Sequence, residues 1–169
     1  MKKLYVVGNK VSKSLSPTIF NYWFKKYNIK ASYGYLELTE KNFHKKIKEV
    51  LKKKDTLGLN VTIPFKNKII KHLGKIDAHA KKIGAVNCVT NKKTINGTNT
   101  DWTGYYKTLP NIKKTKNRKV IILGYGGASH AIHYVLKKRG FKDILIFNRS
   151  KKKIKYSKNT EYTKKYSDL

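Results

Sequence analysis

The residue types best suited to chemistry gather in Asn60-Val61-Thr62-Ile63-Pro64-Phe65-Lys66, a β-branched run that carries an amide and a hydroxyl and meets a proline and then a lysine. Alternation puts Val61 and Ile63 on one strand face and Asn60, Thr62 and Pro64 on the other. Pro64 ends the strand, because it cannot donate to the ladder and holds its neighbour extended. Lys66 then stands at the strand exit, in a helical segment expected over Phe65–Leu73, where its side chain can lean back over the strand end. The pattern is that of a strand delivering a site, and proton transfer is what a lysine there can offer. In a chain with 40 Lys and Arg, a single lysine is ordinarily a solvated surface group, so its company decides. Asp101 either caps the helix expected over Trp102–Leu109 or serves a site. Asn87 is either an ordinary turn or strand-end residue or a further site amide.

A second constellation lies further along. Lys119–Leu123 is a compact apolar strand that runs into Gly124-Tyr125-Gly126-Gly127-Ala128-Ser129. The helix that follows, through Arg139, is expected to bury Ala131, Ile132, Val135 and Leu136, and Gly140 ends it. Asp143–Phe147 is the next strand. Glycines between strand and helix of a β-α-β unit put a dinucleotide pyrophosphate on the helix N-terminus. Ser129 replaces the third glycine of that fingerprint. The second strand closes on Asn148, Arg149 and Ser150, followed by Lys151–Lys153, with no carboxylate for a ribose hydroxyl. A guanidinium in that position favours a 2′-phosphate, so NADP is the expected cofactor. His130 and His133 have no Cys, Asp or Glu at ligand spacing and read as helix-surface and packing residues, so no metal is expected.

The elements that must position these groups follow from periodicity. Leu4–Val7 is a short strand ending at Gly8, and a loop with Ser12, Ser14 and Ser16 follows. Ser16-Pro17 has the grammar of a helix start, with serine at the cap and proline in the first turn. Ile19, Phe20, Trp23, Phe24 and Tyr27 recur at helical spacing and are expected to form its buried face. Ser32–Leu38 alternates as a strand, Lys41–Lys54 puts Phe43, Ile47, Val50 and Leu51 on one helical stripe, and Leu57–Ile63 is the next strand. Two short helices, Phe65–Leu73 and Ile76–Ile83, lead to a strand at Ala85–Thr90 and a hairpin return over Thr94–Thr98. The β-α-β-α-β rhythm predicts a mostly parallel sheet with covering helices, whose ligands bind outside the carboxyl ends of the strands. The serine loop and Lys66 then face one crevice. The lysine-rich segment Asn111–Lys119 is a linker, and the domain boundary belongs near it.

Composition sets bounds. A chain of 169 residues with 39% hydrophobic content and twelve tyrosines is a folded protein despite a formal net charge of +31. Such a charge suggests a polyanionic partner, but lysines punctuate nearly every segment from Lys2 to Lys165. Nucleic acid is therefore not the expected partner. An anionic small substrate and a phosphorylated cofactor profit from the same field. The single cysteine, Cys88, excludes an internal disulfide, fits a reducing compartment and reads as a small core residue. No run reaches the length of a membrane span, and a soluble, cytoplasmic protein is expected.

Taken in order, Ser14-Leu15-Ser16-Pro17 with Asn21, Asn60–Lys66, Gly84-Ala85-Val86-Asn87, Asn99-Thr100-Asp101 and the Gly124–Ser129 loop resemble the shikimate dehydrogenase family over nearly the whole chain. The resemblance implies an α/β substrate domain over residues 1–101, a connecting helix and linker over 102–118, and the start of a Rossmann-like NADP-binding domain over 119–169. It implies an oxidoreductase that reversibly reduces 3-dehydroshikimate to shikimate in aromatic amino-acid precursor biosynthesis. By the same resemblance, Ser14 and Ser16 bind the substrate carboxylate, Thr62, Lys66, Asn87 and Asp101 surround its hydroxyls, and Lys66 with Asp101 form the catalytic pair. Gly124, Tyr125, Gly126, Gly127, Ala128 and Ser129 would hold the pyrophosphate. Asn148, Arg149, Ser150 and Lys153 would hold the adenosine 2′-phosphate end.

Three departures stand out. Phe20 occupies a position where the family usually has histidine, and His130 one where it usually has a basic residue. The chain also ends one β-α-β unit into the cofactor domain, so a C-terminally truncated form with weak or no catalysis is expected. Competing readings are a quinate- or NAD-using relative and a basic nucleic-acid-binding protein with a vestigial enzyme signature. Monomer and homodimer are both left open.

Overall fold

The computed structural model describes residues 1–110 and 118–148, together with the backbone of 160–163. The chain divides into two compact units, Met1–Asn99 and Thr100–Leu169.

The first unit is built on a six-stranded sheet in the order β2-β1-β3-β5-β6-β4. Its strands are β1 (Lys2–Gly8), β2 (Ala31–Glu37), β3 (Thr56–Val61), β4 (Lys75–Ile76), β5 (Cys88–Asn91) and β6 (Ile95–Thr98). β1 pairs in parallel with both β2 and β3, as crossovers through α1 (Ser16–Lys26) and α2 (Phe43–Lys52) require. β5 runs antiparallel to β3 and β6, and β4 is parallel to β6. The expected mostly parallel α/β sheet is present, with one strand reversed.

Helix α2 buries the stripe its periodicity predicts: Phe43, Ile47, Val50 and Leu51. The Phe43 ring stacks on Phe65 at 4.2 Å, inside a cluster with Val7, Leu59, Val61 and Ile69. Helix α1 departs from expectation. Ile19, Trp23 and Tyr27 are exposed, and only Phe20 and Phe24 pack on the small cluster of Val6, Val11 and Tyr33. The helix also starts on Ser16 itself, with Leu15 at the cap position, so Ser16 is not its cap.

Other boundaries move for local reasons. β3 ends at Val61, the Ile63–Pro64 peptide is cis, and Ile63 is exposed instead of beside Val61 in the core. Phe65–Leu73 is not one helix but a 3-10 turn over Lys68–His72, and Ile76–Ile83 splits into the end of β4 and α3 (Ala78–Ile83). Asp77 caps α3 by accepting the amides of His79 and Ala80. Ala85 and Val86 are fully buried but precede β5, and Cys88 is a half-buried free thiol.

The second unit holds α4 (Asp101–Thr108), β7 (Lys119–Leu123), α5 (Gly127–Lys138), β8 (Asp143–Phe147) and β9 (Thr160–Thr163), with a parallel sheet in the order β7-β8-β9. Its core joins Ile122, Tyr125, Leu136, Phe141, Ile144 and Ile146, with Tyr105 of α4 packed against it. On α5, Ala131, Val135 and Leu136 are buried as expected; Ile132 is only half-buried, and His133 is buried in addition. The Arg139 guanidinium lies 3.9 Å over the Tyr106 ring and donates to the Tyr106 carbonyl, tying α5 to α4. Most of the expected linker, residues 111–117, lies outside the described residues. Among the described residues, no helix is long and apolar enough to cross a membrane.

Candidate active site

The carboxyl ends of β1 and β3, the loop after β1 and Asn87 just before β5 meet around one cleft of about 610 Å³ in the first unit. Gly8 makes the meeting possible. A Cβ there would lie 2.5 Å from Val11 Cγ1 and 2.7 Å from Thr62 Cγ2, so only glycine lets the serine loop close against the exit of β3. Glu37, the last residue of β2, holds that loop by accepting the amides of Val11 at 3.0 Å and Ser12 at 3.2 Å. The Tyr35 hydroxyl donates to the Ser14 carbonyl. Ser14 in turn donates its hydroxyl to Ser16 Oγ at 3.2 Å and accepts the Ser16 amide. Instead of capping α1, Ser16 therefore stands paired with Ser14, and the two hydroxyls face the cleft together.

The opposite wall is fixed by backbone hydrogen bonds. The Val61 amide donates to the Asn87 carbonyl at 2.8 Å, the Asn87 amide to the Thr98 carbonyl, and the Thr62 amide to the Val7 carbonyl. The Val86 amide donates to the Lys66 carbonyl at 2.7 Å. These bonds hold the main chain of Thr62, Lys66 and Asn87 before any ligand arrives, and all three side chains are half-buried on the cleft wall.

Asn60 also lines the cleft, and its orientation has a visible cause. The buried Tyr33 hydroxyl donates to Asn60 Oδ1 at 2.7 Å, and burial pushes Tyr33 up to about 12, which keeps it a donor. Phe20 stacks on the Tyr33 ring at 4.7 Å, and Asn21 binds both the amide and the carbonyl of Tyr33 at 2.8 Å. The carbonyl end of Asn60 is thus committed to Tyr33, and its NH2 is what it has to offer a ligand.

Of the residues expected to bind substrate, Ser14, Ser16, Thr62, Lys66 and Asn87 line this one cleft. Asp101 is the first residue of α4 in the second unit, with Thr100 at the cap position, so it is not the helix cap. Lys10 and Lys13 line the cleft without having been expected there, and Phe20, expected on the buried face of α1, joins them. The lysines were hidden among 40 basic residues, although their position in the serine loop was a usable signal. The lining includes three lysines and no carboxylate, which suits a small anion rich in hydroxyls.

The glycine loop is a second candidate site. Gly124 adopts a positive φ of 84°, open to glycine, and its amide donates to the Phe147 carbonyl. The Tyr125 amide donates to Asn148 Oδ1, so Asn148 ties the loop to the end of β8. The Tyr125 side chain turns inward, its hydroxyl 2.8 Å from His133 Nδ1. A Cβ at Gly126 would meet nothing within 4 Å, which leaves room at the start of α5, where Gly127, Ala128 and Ser129 form a first turn without a carboxylate. Open space and amides at a helix N-terminus suit a pyrophosphate, so this part of NADP fits the residues present. Arg149, Ser150 and Lys153 lie outside the described residues. No group of three His, Cys, Asp or Glu able to hold a metal exists among the described residues.

Comparison with known proteins gives a consistent picture. Residues 6–89 match the shikimate dehydrogenase substrate binding domain. The shikimate dehydrogenase of Thermotoga petrophila is 36% identical over 148 residues, covering 88% of this chain and 55% of that protein. The shikimate dehydrogenase (NADP(+)) of Oceanobacillus iheyensis is 38% identical over 154 residues, covering 87% of this chain and 55% of that protein. The crystal structure of shikimate dehydrogenase 1 from Peptoclostridium difficile superposes with a TM-score of 0.82 at 31% identity, over 96% of this chain and 61% of that one. The shikimate 5-dehydrogenase of Thermus thermophilus, solved in complex with NADP(H) and shikimate, gives 0.73 at 28% identity, over 89% of this chain and 57% of that one. This chain spans about half the length of the curated relatives it matches.

Proposed function

This chain belongs to the shikimate dehydrogenase family, and we propose from that premise that it works in the NADP-dependent, reversible reduction of 3-dehydroshikimate to shikimate. The observation that carries the reading is the single cleft lined by Ser14, Ser16, Thr62, Lys66 and Asn87. In this reading the paired serine hydroxyls bind the substrate carboxylate, with Lys10 and Lys13 adding positive charge beside them. Thr62, Asn87 and Asp101 bond the ring hydroxyls, which discriminates against any substrate that would leave those groups unpaired. Lys66 gives its Nζ proton to the carbonyl oxygen during reduction and takes it back during oxidation, while Asp101 orients the lysine and the substrate hydroxyl.

Bound NADP would supply or accept the hydride at the ring carbon. Amides of Gly124–Ser129 would hold its pyrophosphate, and Asn148, Arg149, Ser150 and Lys153 its 2′-phosphate end. Residues 1–101 act as the substrate domain, 102–118 as connecting helix and linker, and 119–169 as part of the NADP-binding domain. The cytoplasm is the proposed location, where substrate and NADP are both at hand.

Calorimetric titration tests the reading. Shikimate should bind more tightly than quinate, and Ser14→Ala with Ser16→Ala should weaken it by at least about ten-fold, the loss of one to two hydrogen bonds to a charged group. In a protein extended to the full length of the relatives, Lys66→Ala should lower shikimate-dependent NADPH formation by at least about a hundred-fold with the melting temperature unchanged. Absence of shikimate binding, or near-normal turnover by the Lys66 variant, would sink the assignment.

A further inference from the structure

Three of the four residues Gly124–Gly127 are glycine, and so permissive a stretch of chain does not hold one geometry by itself. Tyr125 carries the single side chain between Leu123 and Ala128, and that side chain is buried. Its hydroxyl lies 2.8 Å from His133 Nδ1. Its ring tilts against the His130 ring at 4.5 Å between centroids and meets the His133 ring edge-on at 5.8 Å. Both histidines belong to α5, and His133 stands in its second turn. Through one side chain, the loop is tied to the body of the helix whose N-terminus it opens.

Main-chain bonds set what the loop has left to offer. The Gly124 amide is committed to the Phe147 carbonyl at 2.7 Å and the Tyr125 amide to Asn148 Oδ1 at 3.0 Å. What remains for an anion are the amides from Gly126 into the first turn of α5, which have no carbonyl to meet within the helix and no side-chain cap. A rotation at Gly126 would swing them away, and the open space where its Cβ would stand gives no packing to resist it. The Tyr125–His133 pair is at the same time a poor source of stability. His133 Nε2 is buried with no hydrogen-bond partner among the described residues, a cost that an apolar side chain of similar size would not carry. What the pair supplies is orientation.

We propose that the Tyr125–His133 hydrogen bond is a positioning device, which holds the glycine loop in the geometry that aims the amides at the start of α5 toward the pyrophosphate of the cofactor. This role rests on the reading above, in which Gly124–Ser129 hold that group. Neither side chain touches the cofactor: Tyr125 acts through its own backbone, and His133 acts through Tyr125. Preorganisation of this kind raises affinity by lowering the ordering cost of binding, not by adding a contact.

Calorimetric titration of the whole chain with NADP, beside amide hydrogen exchange of the same chain without ligand, tests this. Tyr125→Phe keeps the ring and removes the hydroxyl, and His133→Leu removes its partner. Each should weaken NADP binding about three- to ten-fold, the worth of one hydrogen bond, and speed exchange of the bonded Gly124 and Tyr125 amides. The double variant should bind no more weakly than either single one, because both remove the same interaction. It should also melt at or above the temperature of the unaltered chain. His133→Gln, which can pair with the hydroxyl again, should recover most of the affinity. Shikimate binding in the first unit should not change. Additive losses in the double variant, or losses that follow the melting temperature, would overturn the proposal by reducing the pair to ordinary packing. NADP binding unchanged in all the variants would overturn it too, while leaving the loop assigned to the pyrophosphate. If the unaltered chain binds no NADP, that assignment falls and the positioning role falls with it.

Discussion

Burial pushes the His133 imidazole down to about 4, with Lys137 and His130 adding repulsion. Its Nδ1 is engaged by the Tyr125 hydroxyl, and its Nε2 has no hydrogen-bond partner among the described residues, so a charged ring there would be poorly solvated. The folded value lies below the unfolded one of about 6.5, so the stabilising contribution is present above pH 6.5 and is lost as the pH falls through about 4. Thermal melts across that window should show a loss on the order of 2–3 kcal/mol that His133→Gln largely removes. Tyr33→Phe keeps the stack on Phe20 but removes the donor to Asn60, and should cost about 1–2 kcal/mol and weaken shikimate binding, readable by denaturation and calorimetry. Residues at this scale were legible where several types stand in a fixed order, as in Asn60–Lys66. Lys10 and Lys13 were not legible, because a functional lysine and a solvated one look alike until the loop carrying them is seen folded over the cleft.

Helices α1 and α2 show why periodicity alone misled. Both repeat apolar residues at helical spacing, and α2 buries its whole stripe under the sheet. Helix α1 lies over the edge strand β2 and its neighbour β1, and there only Phe20 and Phe24 reach packing partners, while Ile19 and Trp23 are 43% and 45% exposed. What attaches α1 is polar: the Asn21 side chain closes two 2.8 Å bonds on the Tyr33 backbone. Asn21→Ala should therefore cost roughly 2 kcal/mol and speed amide hydrogen exchange in α1 and β2. Trp23→Ala should cost well under the roughly 3–5 kcal/mol of a buried tryptophan. An amide clasp of this kind has no periodic signature, so neither the exposed face nor its replacement could be read from spacing. The segment between β3 and β5 was misjudged for a related reason: lone apolar residues such as Ile69 and Ile76 fit a helix, a 3-10 turn or a two-residue strand equally well.

At the scale of the molecule, the first unit owns a complete core and a sheet whose pairings all fall within Met1–Asn99. The Asn99 side chain even closes back on the Ala85 carbonyl at 2.9 Å. Residues 1–99 expressed alone should melt in one cooperative transition, and calorimetry of the whole chain should resolve a separate transition for the second unit. That unit begins with α4 packed on α5, so a helix that reads from sequence as a connecting rod clusters with the glycine-loop unit. Among the described residues β7 is paired on one side alone, and Ile121 and Leu123 are exposed, a surface prone to association, so dilute conditions and moderate salt should favour clean melts.

The reversal of β5 has one more effect. Residues 62–86 make an excursion that carries β4 to the far edge of the sheet and returns beside its starting point, and the excursion is closed at its neck by Val61 on Asn87 and Val86 on Lys66. A protease cut in α3, after the exposed Lys81 or Lys82, would break the chain without removing the two bonds of that neck. The nicked halves should elute together and still hold ligand. The polar walls of the cleft are thus insulated from the fate of the loop that joins them in sequence.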